Sequence, residues 1–186
     1  PVPVIRVMPE EPDEIYTLDD YRHRYAIYKS DPDLQAAHAS TPFVMSYDDH
    51  EVDNNWAGDI SEENTRPELF LLRRAAAFQA WYEHMPVRKS LMPRGPDILA
   101  YRRLIIGELM SLNVLDTRLF RTDQPCGDGV KADCREALDP NRTMLGDTQE
   151  RWLYDGFRTV RARWTILGQQ VMVMRHDRDL DPVVFS

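Results

Sequence analysis

The amino-acid sequence predicts an α/β fold, mixed α+β in type, because helical and extended patterns alternate along its 186 residues. Apolar residues at helical spacing are clearest in the segment that begins at Pro67. Two β-type runs, 99–106 and 109–115, flank Gly107-Glu108 in the way that strands flank a hairpin turn. The length suits one sizeable domain, or a small domain with an appendage.

The first helix is predicted to follow an irregular lead-in, residues 1–16, which is rich in proline and acidic residues. Thr17 is a candidate N-cap, and Asp20 lies three residues on, where a capping box places its acid. Helical spacing then aligns three tyrosines, which we expect to pack in the core: Tyr21, Tyr25 and Tyr28.

A second short helix is predicted to open at Pro32, because proline suits the first helical turn, and to end at Thr41-Pro42. The apolar run 43–47 is interpreted as a buried strand. Such a strand would deliver the polar residues that follow it to the edge of a sheet.

The longest helix is predicted from Pro67 to Met85-Pro86. Its expected buried face combines leucine, alanine and aromatic residues: Leu69, Phe70, Leu72, Ala76, Ala77, Ala80 and Trp81. A further helix is predicted from Asp147 to about Arg158. The run 164–174 is strand-like, with Gly168 as a candidate bulge.

The richest chemistry lies in residues 48–55, which contain four carboxylates, two carboxamides and one imidazole. Oxygen donors of this kind suit hard divalent cations, and such a cation would offset repulsion among the acids. In metal-assisted phosphoester cleavage, a protonated imidazole beside the metal could stabilise charge on the phosphoryl group. A solvated acidic turn that binds nothing is the alternative.

A second candidate element starts at Asp116, directly after a predicted strand. Arg118 and Arg121 follow it three residues apart, and guanidinium groups bind phosphate oxygens well. The same arginines could instead form salt bridges that anchor the loop. The residues alone leave both roles open.

Cys126 and Cys134 bracket a polar loop. A disulfide between them would contribute about 2–3 kcal/mol on the chain-entropy model and would indicate an oxidising compartment. Two free thiols are the alternative. A zinc site is disfavoured, because two thiolates without a neighbouring histidine do not complete one.

Composition narrows the classes of partner. The formal net charge is −8, which argues against binding to a nucleic-acid backbone, because phosphate neutralisation needs clustered lysine and arginine. No apolar run approaches the length of a membrane span. The chain begins without Met and stops within an apolar run, so we expect it to be a piece of a longer protein.

Several separate motifs together resemble the PhoD-like alkaline phosphatase/phosphodiesterase family, part of the metallophosphoesterase superfamily. The resemblance covers nearly the whole chain after Ile15. It rests on Thr17-Leu18-Asp19-Asp20-Tyr21-Arg22, Tyr28-Lys29-Ser30-Asp31-Pro32-Asp33-Leu34-Gln35, the run 48–55, Asp116-Thr117-Arg118, Asp123-Gln124-Pro125-Cys126-Gly127-Asp128 and Arg142-Thr143-Met144-Leu145-Gly146.

This resemblance implies a secreted, metal-dependent hydrolase of phosphate monoesters and diesters that is exported by a twin-arginine signal and uses calcium and iron. It implies a two-sheet sandwich flanked by helices, with residues 17–186 as part of that domain. Asp49 and Asn55 would be metal ligands, and His50 the imidazole that faces the substrate. Further candidates for supporting the metal or contacting substrate are Asp48, Asp53, Asn54, Arg118 and Arg121.

The superfamily's upstream and downstream metal-binding blocks are not found in this sequence. We therefore expect a middle segment that carries one corner of a two-metal site, with little activity unless the rest of the parent domain is present. A secreted domain that calcium stabilises without catalysis is the alternative function. A metal-dependent nuclease is a third, but it lacks the basic surface.

Overall fold

The computed structural model describes residues 14–127, 131–132, 134–172 and 184–185. Its helices are α1 Leu18–Lys29, α2 Pro32–Ser40, α3 Pro67–His84 and α4 Gly146–Thr159. Its strands are β1 Arg102–Ile106, β2 Met110–Val114, β3 Lys131–Ala132, β4 Trp164–Gly168 and β5 Val184–Phe185. Most of the predicted lead-in, residues 1–16, lies outside the described part.

One mixed sheet organises the second half of the chain, in the strand order β1-β2-β4. β1 and β2 are antiparallel, with Leu104 opposite Leu112, and β4 runs parallel to β2. A parallel pair needs a long crossover, which here contains the cysteine loop and α4. The predicted α/β class is confirmed.

α4 contacts this sheet through Arg103 of β1. Arg103 of β1 donates through Nη2 to the Trp152 carbonyl at 3.1 Å, and its guanidinium lies 4.5 Å from the Trp152 ring centroid. A Cβ at Gly156 would overlap the Arg103 guanidinium. A side chain at this position would displace the Arg103 guanidinium from its contact with α4.

The first two helices begin where the sequence predicts. Thr17 accepts the Asp20 N–H, and Asp20 accepts the Thr17 N–H at 2.8 Å, which completes the capping box. Asp31 caps the next helix by accepting N–H groups from Asp33 and Leu34, with Pro32 at the first position. These local hydrogen bonds satisfy helix-end donors that have no partner inside the helix.

The hydrophobic core lies where α1 and the chain around residue 47 pack on α3. Its aromatic centre places Tyr47 within 4.9 Å of Phe78 and 5.7 Å of Trp81, measured between ring centroids. The buried members of this core are Tyr21, Tyr47, Val52, Trp56, Phe70, Ala77, Phe78, Ala80, Trp81, Leu91, Ile98 and Ala100. Residues on both sides of the acidic run belong to it, so the run is anchored on the core.

A bidentate ion pair joins α1 to α3 at the surface. Arg22 donates to both carboxylate oxygens of Glu83, each at 2.7 Å. The Arg22 hydrogen bonds lower the pKa of Glu83 from 4.5 to about 2. A lowered pKa means that the folded state holds the ionised form more firmly than the unfolded state does.

We expect this ion pair to contribute fully to the free energy of unfolding above pH 4.5, and we expect that contribution to be lost as the pH falls towards 2. Glu83→Gln should therefore lower the urea midpoint at pH 7 and leave it nearly unchanged at pH 2. Glu68→Gln, at an exposed position in the first turn of α3, is the control. An equal loss at both pH values would contradict this assignment.

The predicted strand 43–47 is wrong. The segment is extended but belongs to no sheet among the described residues, and Phe43 and Val44 are exposed. The Met45 carbonyl instead accepts a hydrogen bond from the Arg102 guanidinium at 2.6 Å. The Arg102 side chain thus supplies a hydrogen bond that a neighbouring strand would otherwise supply. The periodicity of the sequence does not reveal such a partner.

The predicted apolar face of α3 is partly wrong. Leu69 and Leu72 are 48% and 68% exposed, whereas Arg73 and Arg74 are buried. Arg74 donates to the Pro96 carbonyl at 2.9 Å and also to the Gly58 carbonyl. Both arginines find long-range partners, and these offset the cost of burying their charge.

β4 is shorter than the predicted run 164–174 and ends at Gly168, which pairs with Val114 and is therefore not a bulge. Residues 173 and 174 of the predicted run lie outside the described part. The hairpin is confirmed, with Gly107 at φ +51° in its turn. No helix in the described ranges is long and apolar enough to cross a membrane.

Candidate functional site

The acidic run is a compact loop held at both ends by the core. Tyr47 precedes it, Trp56 follows it, and their ring centroids lie 6.4 Å apart. Within the loop, the Asp49 carbonyl accepts the N–H groups of Val52 and Asp53 at 2.8 and 2.9 Å. Trp56 donates its indole N–H to the same carbonyl at 3.2 Å.

Arg118 is the counter-ion of the first two acids. Its Nε donates to Asp48 Oδ1 at 2.6 Å, and its Nη2 lies 3.7 Å from Asp49 Oδ1. Burial by itself would raise the pKa of Asp49, but the Asn55 N–H and the Arg118 charge outweigh burial and lower it. Asp49 is therefore held as a carboxylate. The salt-bridge role considered for Arg118 is confirmed.

Arg73 is the counter-ion of Asp53, the last acid in this loop. Its Nη1 lies 2.9 Å from Asp53 Oδ1, and its Nη2 bonds Glu14 at 2.6 Å. Its Nε donates to the Tyr21 hydroxyl, which in turn donates to the Val52 carbonyl. Burial raises the pKa of Asp53, although Arg73 opposes that shift. This network supports the loop from the core side.

His50 faces outward. Its side chain is 79% exposed, and its Nε2 lies 3.9 Å from Asp49 Oδ2. The backbone holds this ring at the rim of the loop, while Asp49 beside it is nearly buried. An exposed imidazole next to a fixed carboxylate can meet a ligand from solvent and transfer a proton to it.

Asn55 ends the loop in a left-handed conformation, with φ +47°. Asparagine tolerates this region better than most residues do. The Asn55 N–H donates to Asp49 Oδ2 at 3.1 Å, and its carbonyl accepts from Gln124 at 2.7 Å. Its side-chain Nδ2 donates to Glu62 Oε1 at 3.1 Å. Asp49, His50 and Asn55 therefore lie in one small region, as the sequence predicts.

Asp116 fixes the segment that carries Arg118. Its Oδ1 accepts the N–H groups of Arg118 and Leu119 at 3.0 and 2.9 Å, and its Oδ2 accepts the Tyr47 hydroxyl. Burial raises the pKa of Asp116, with these hydrogen bonds opposing the shift. Gln149 of α4 completes the clamp by bonding both backbone groups of Asp116.

Arg121 is half-buried near the same loop, and burial lowers its pKa, with a further lowering from Arg118. Its Nε donates to the Thr122 carbonyl at 3.4 Å, which is a weak contact. A second arginine held this close to Arg118 increases the positive potential beside Asp48 and Asp49. That arrangement is suited to an anionic ligand.

The predicted disulfide between Cys126 and Cys134 is present, with the Cα atoms 6.0 Å apart. Cys126 N–H donates to Glu136, which also pairs with Arg142 at 2.6 Å. Gln124, two residues before the first cysteine, is the residue that bonds the Asn55 carbonyl. The segment that leads into the cross-linked loop therefore reaches the candidate site.

Among the described residues, no three or more His, Cys, Asp or Glu side chains are grouped so that they could hold a metal ion. The oxygen donors of Asp49 and Asn55 have the chemistry that hard cations take, but they form only part of a coordination sphere. Arg118 and Arg73 supply positive charge beside the acids for which the sequence predicts a cation. The acidic loop thus has internal counter-ions.

Three contributors to the site were missed at the sequence level: Arg73, Gln124 and Glu62. Arg73 and Gln124 are far from the loop in sequence, so no local spacing indicates them. Glu62 follows Asn55 by seven residues. Only the turn between them, which brings the chain back towards the loop, could have indicated its role.

Three comparisons place the chain among known proteins. The family model described as PhoD-like phosphatase matches residues 3–184. Alkaline phosphatase D of Bacillus subtilis (strain 168) is 52% identical over 158 residues, which are 85% of this chain and 27% of that protein.

A solved structure described as "Structure of PhoD" has a TM-score of 0.90 and 48% identity, and the match covers 93% of this chain and 33% of that one. The chain therefore spans about a quarter to a third of the length of these relatives. Because the family model matches almost every residue, the chain belongs to the PhoD-like phosphatase family.

Proposed function

We propose that this chain contributes one part of the active site of a phosphoester hydrolase. The observation that carries the proposal is the 52% identity to an alkaline phosphatase D over 85% of the chain. The loop geometry is consistent with it, because the exposed His50 imidazole lies beside two candidate metal ligands, the buried Asp49 carboxylate and Asn55. The substrate class is a phosphate monoester or diester.

In this proposal His50 meets the phosphoryl group. Its exposure gives it access to a ligand, and its Nε2 lies 3.9 Å from Asp49 Oδ2. A protonated imidazole can donate a hydrogen bond to a phosphoryl oxygen as negative charge develops there. His50 thus acts as the catalytic group of this segment.

Asp49 and Asn55 are the proposed metal ligands, with Asp48, Asp53 and Asn54 supporting them. A bound divalent ion would polarise the phosphoryl oxygen and generate a nucleophile from water. Calcium and iron are proposed from the resemblance to the family. The remaining ligands would come from other parts of the parent protein, which is why the isolated chain is expected to have little activity.

The two arginines have different proposed roles. Arg118 is committed to Asp48 and lies close to Asp49, so it orients carboxylates. Arg121 makes only a weak hydrogen bond, from its Nε to the Thr122 carbonyl, and is therefore the better candidate to bind a phosphate oxygen of the substrate. Such a contact would add to the charge stabilisation that His50 provides.

The alternative function is a secreted domain that calcium stabilises without catalysis. Arg118 and Arg73 already compensate three of the acids in this loop, which weakens the need for a structural ion. Export by a twin-arginine signal remains part of the proposal. The disulfide supports an extracytoplasmic location, since such bonds persist in oxidising compartments.

The test is an assay of the complete protein with p-nitrophenyl phosphate, bis-p-nitrophenyl phosphate and DNA, with and without a metal chelator. We expect cleavage of a small ester, weak action on DNA, and loss of turnover after chelation that calcium and iron restore. Absence of cleavage in metal-supplemented protein would contradict hydrolysis and favour the structural alternative. Preferential cleavage of DNA would favour a nuclease.

A further inference from the structure

Glu62 lies outside every motif that defines the acidic loop, yet it contacts that loop twice. Its Oε1 accepts the Asn55 Nδ2–H at 3.1 Å, and its Oε2 accepts from Asn54 Nδ2. One carboxylate therefore bridges two consecutive carboxamides. Such bridging restricts both side-chain torsions more than a single hydrogen bond would.

The backbone that presents Glu62 is well fixed. Ala57 and Ile60 exchange N–H to carbonyl hydrogen bonds of 3.0 and 2.9 Å, which closes a tight turn at Gly58. Gly58 N–H donates to the Arg118 carbonyl at 2.9 Å. Ser61 is buried and accepts the Thr65 N–H at 2.8 Å. The exposed Glu62 carboxylate thus projects from a rigid base.

Chemistry decides which end of each carboxamide faces Glu62. An ionised carboxylate only accepts hydrogen bonds, so the atom of Asn55 that faces it must be the NH₂ nitrogen. The carboxamide oxygen, on the other branch of the same planar group, is then directed away from the Glu62 carboxylate. Because Asp49 and Gln124 fix the Asn55 backbone, this choice sets where the oxygen lies.

We infer that Glu62 is a positioning residue that orients the Asn55 carboxamide, so that its oxygen is presented to the ligand of this site. This inference rests on the proposed role of Asn55 in the hydrolase. It assigns no contact between Glu62 and substrate. Loss of a residue that hydrogen-bonds and orients a metal-ligating side chain commonly lowers metal affinity or activity by about 10–100-fold.

The experiment uses the complete protein with the variants Glu62→Ala, Glu62→Gln, Asn55→Ala and the double variant Glu62→Ala/Asn55→Ala. Glu63→Ala is the matched control, because Glu63 is the neighbouring exposed carboxylate. Measurements are kcat and KM on a nitrophenyl ester, calcium affinity by titration calorimetry, and Tm.

We expect Glu62→Ala to lower kcat/KM and calcium affinity by about 10–100-fold, with a Tm close to that of Glu63→Ala. Glu62→Gln should lose less, because its single oxygen can accept from only part of the pair. In the double variant, removal of Glu62 should add nothing to the loss caused by Asn55→Ala. A purely structural role would instead lower Tm and give additive losses.

Three outcomes overturn the inference. If Asn55→Ala loses activity but Glu62→Ala behaves like Glu63→Ala, Glu62 does not position Asn55. If the losses of the double variant are additive, Glu62 acts by another route. If Asn55→Ala itself retains full activity and calcium affinity, the proposed role of Asn55 fails first and the inference fails with it.

Discussion

His50→Ala should lower kcat of the complete protein on a nitrophenyl ester by about 10²–10³-fold, the range typical of losing one hydrogen-bond donor to developing negative charge. The imidazole is 79% exposed and packs against little, so its removal should leave the fold intact. Far-UV circular dichroism and Tm check the fold, and steady-state kinetics checks the loss.

His38→Ala is the matched control for this experiment, because His38 stacks on Phe43 away from the acidic loop. It should retain activity close to that of the unaltered protein. Calcium affinity should change little in His50→Ala, since Asp49 and Asn55 remain. Retention of full turnover by His50→Ala would remove the imidazole from the mechanism.

Trp56→Ala should destabilise the protein by about 3–5 kcal/mol, the cost of truncating a fully buried aromatic side chain. Trp56 has 0% exposure and packs against Tyr47, Phe70 and Phe78. It also donates to the Asp49 carbonyl. The same substitution should therefore loosen the loop, and urea unfolding followed by circular dichroism measures the loss of stability.

Trp56→Phe separates packing from hydrogen bonding, because it keeps a ring and removes the indole N–H. Its cost should lie well below that of Trp56→Ala. Tyr154→Ala is the surface control, since Tyr154 is exposed on α4, and it should cost within about 0.5 kcal/mol. A loss at Trp56 no greater than at Tyr154 would mean that the loop does not depend on this core contact.

The elements that sequence patterns predicted well are those with local causes. The capping box at Thr17, Pro32 at the first position of α2 and Gly107 in the hairpin turn each depend on residues a few positions apart. Their hydrogen bonds and torsions are decided within one turn of chain. Helix and hairpin positions followed from them.

The errors arose where distant partners decided the outcome. The run 43–47 has strand-like composition, but the guanidinium of Arg102 takes the Met45 carbonyl. In α3, Leu72 faces outward and Arg73 inward, because Tyr21, Asp53 and Glu14 converge on the arginine. A hydropathy pattern cannot register a buried charge whose partners lie 20 to 59 residues away.

The candidate site shows the same division. Asp49, His50 and Asn55 are close in sequence, so the loop could be identified before any fold was known. The two possible roles of Arg118 were undecided until the structure placed its Nε 2.6 Å from Asp48. Arg118 and Arg73 also provide charge compensation for acids that, from the sequence, were expected to need a bound cation.

By itself the sequence determined the α/β class, the family resemblance and the chemically rich loop, because each depends on residue type and short spacing. It left open whether Cys126 and Cys134 are bonded, and the structure shows that they are. Only the tertiary structure decided which arginines balance the acids, that His50 faces solvent, and that Glu62 bridges Asn54 and Asn55. Those outcomes depend on distances between groups from separate segments, which are fixed only when the core aligns them.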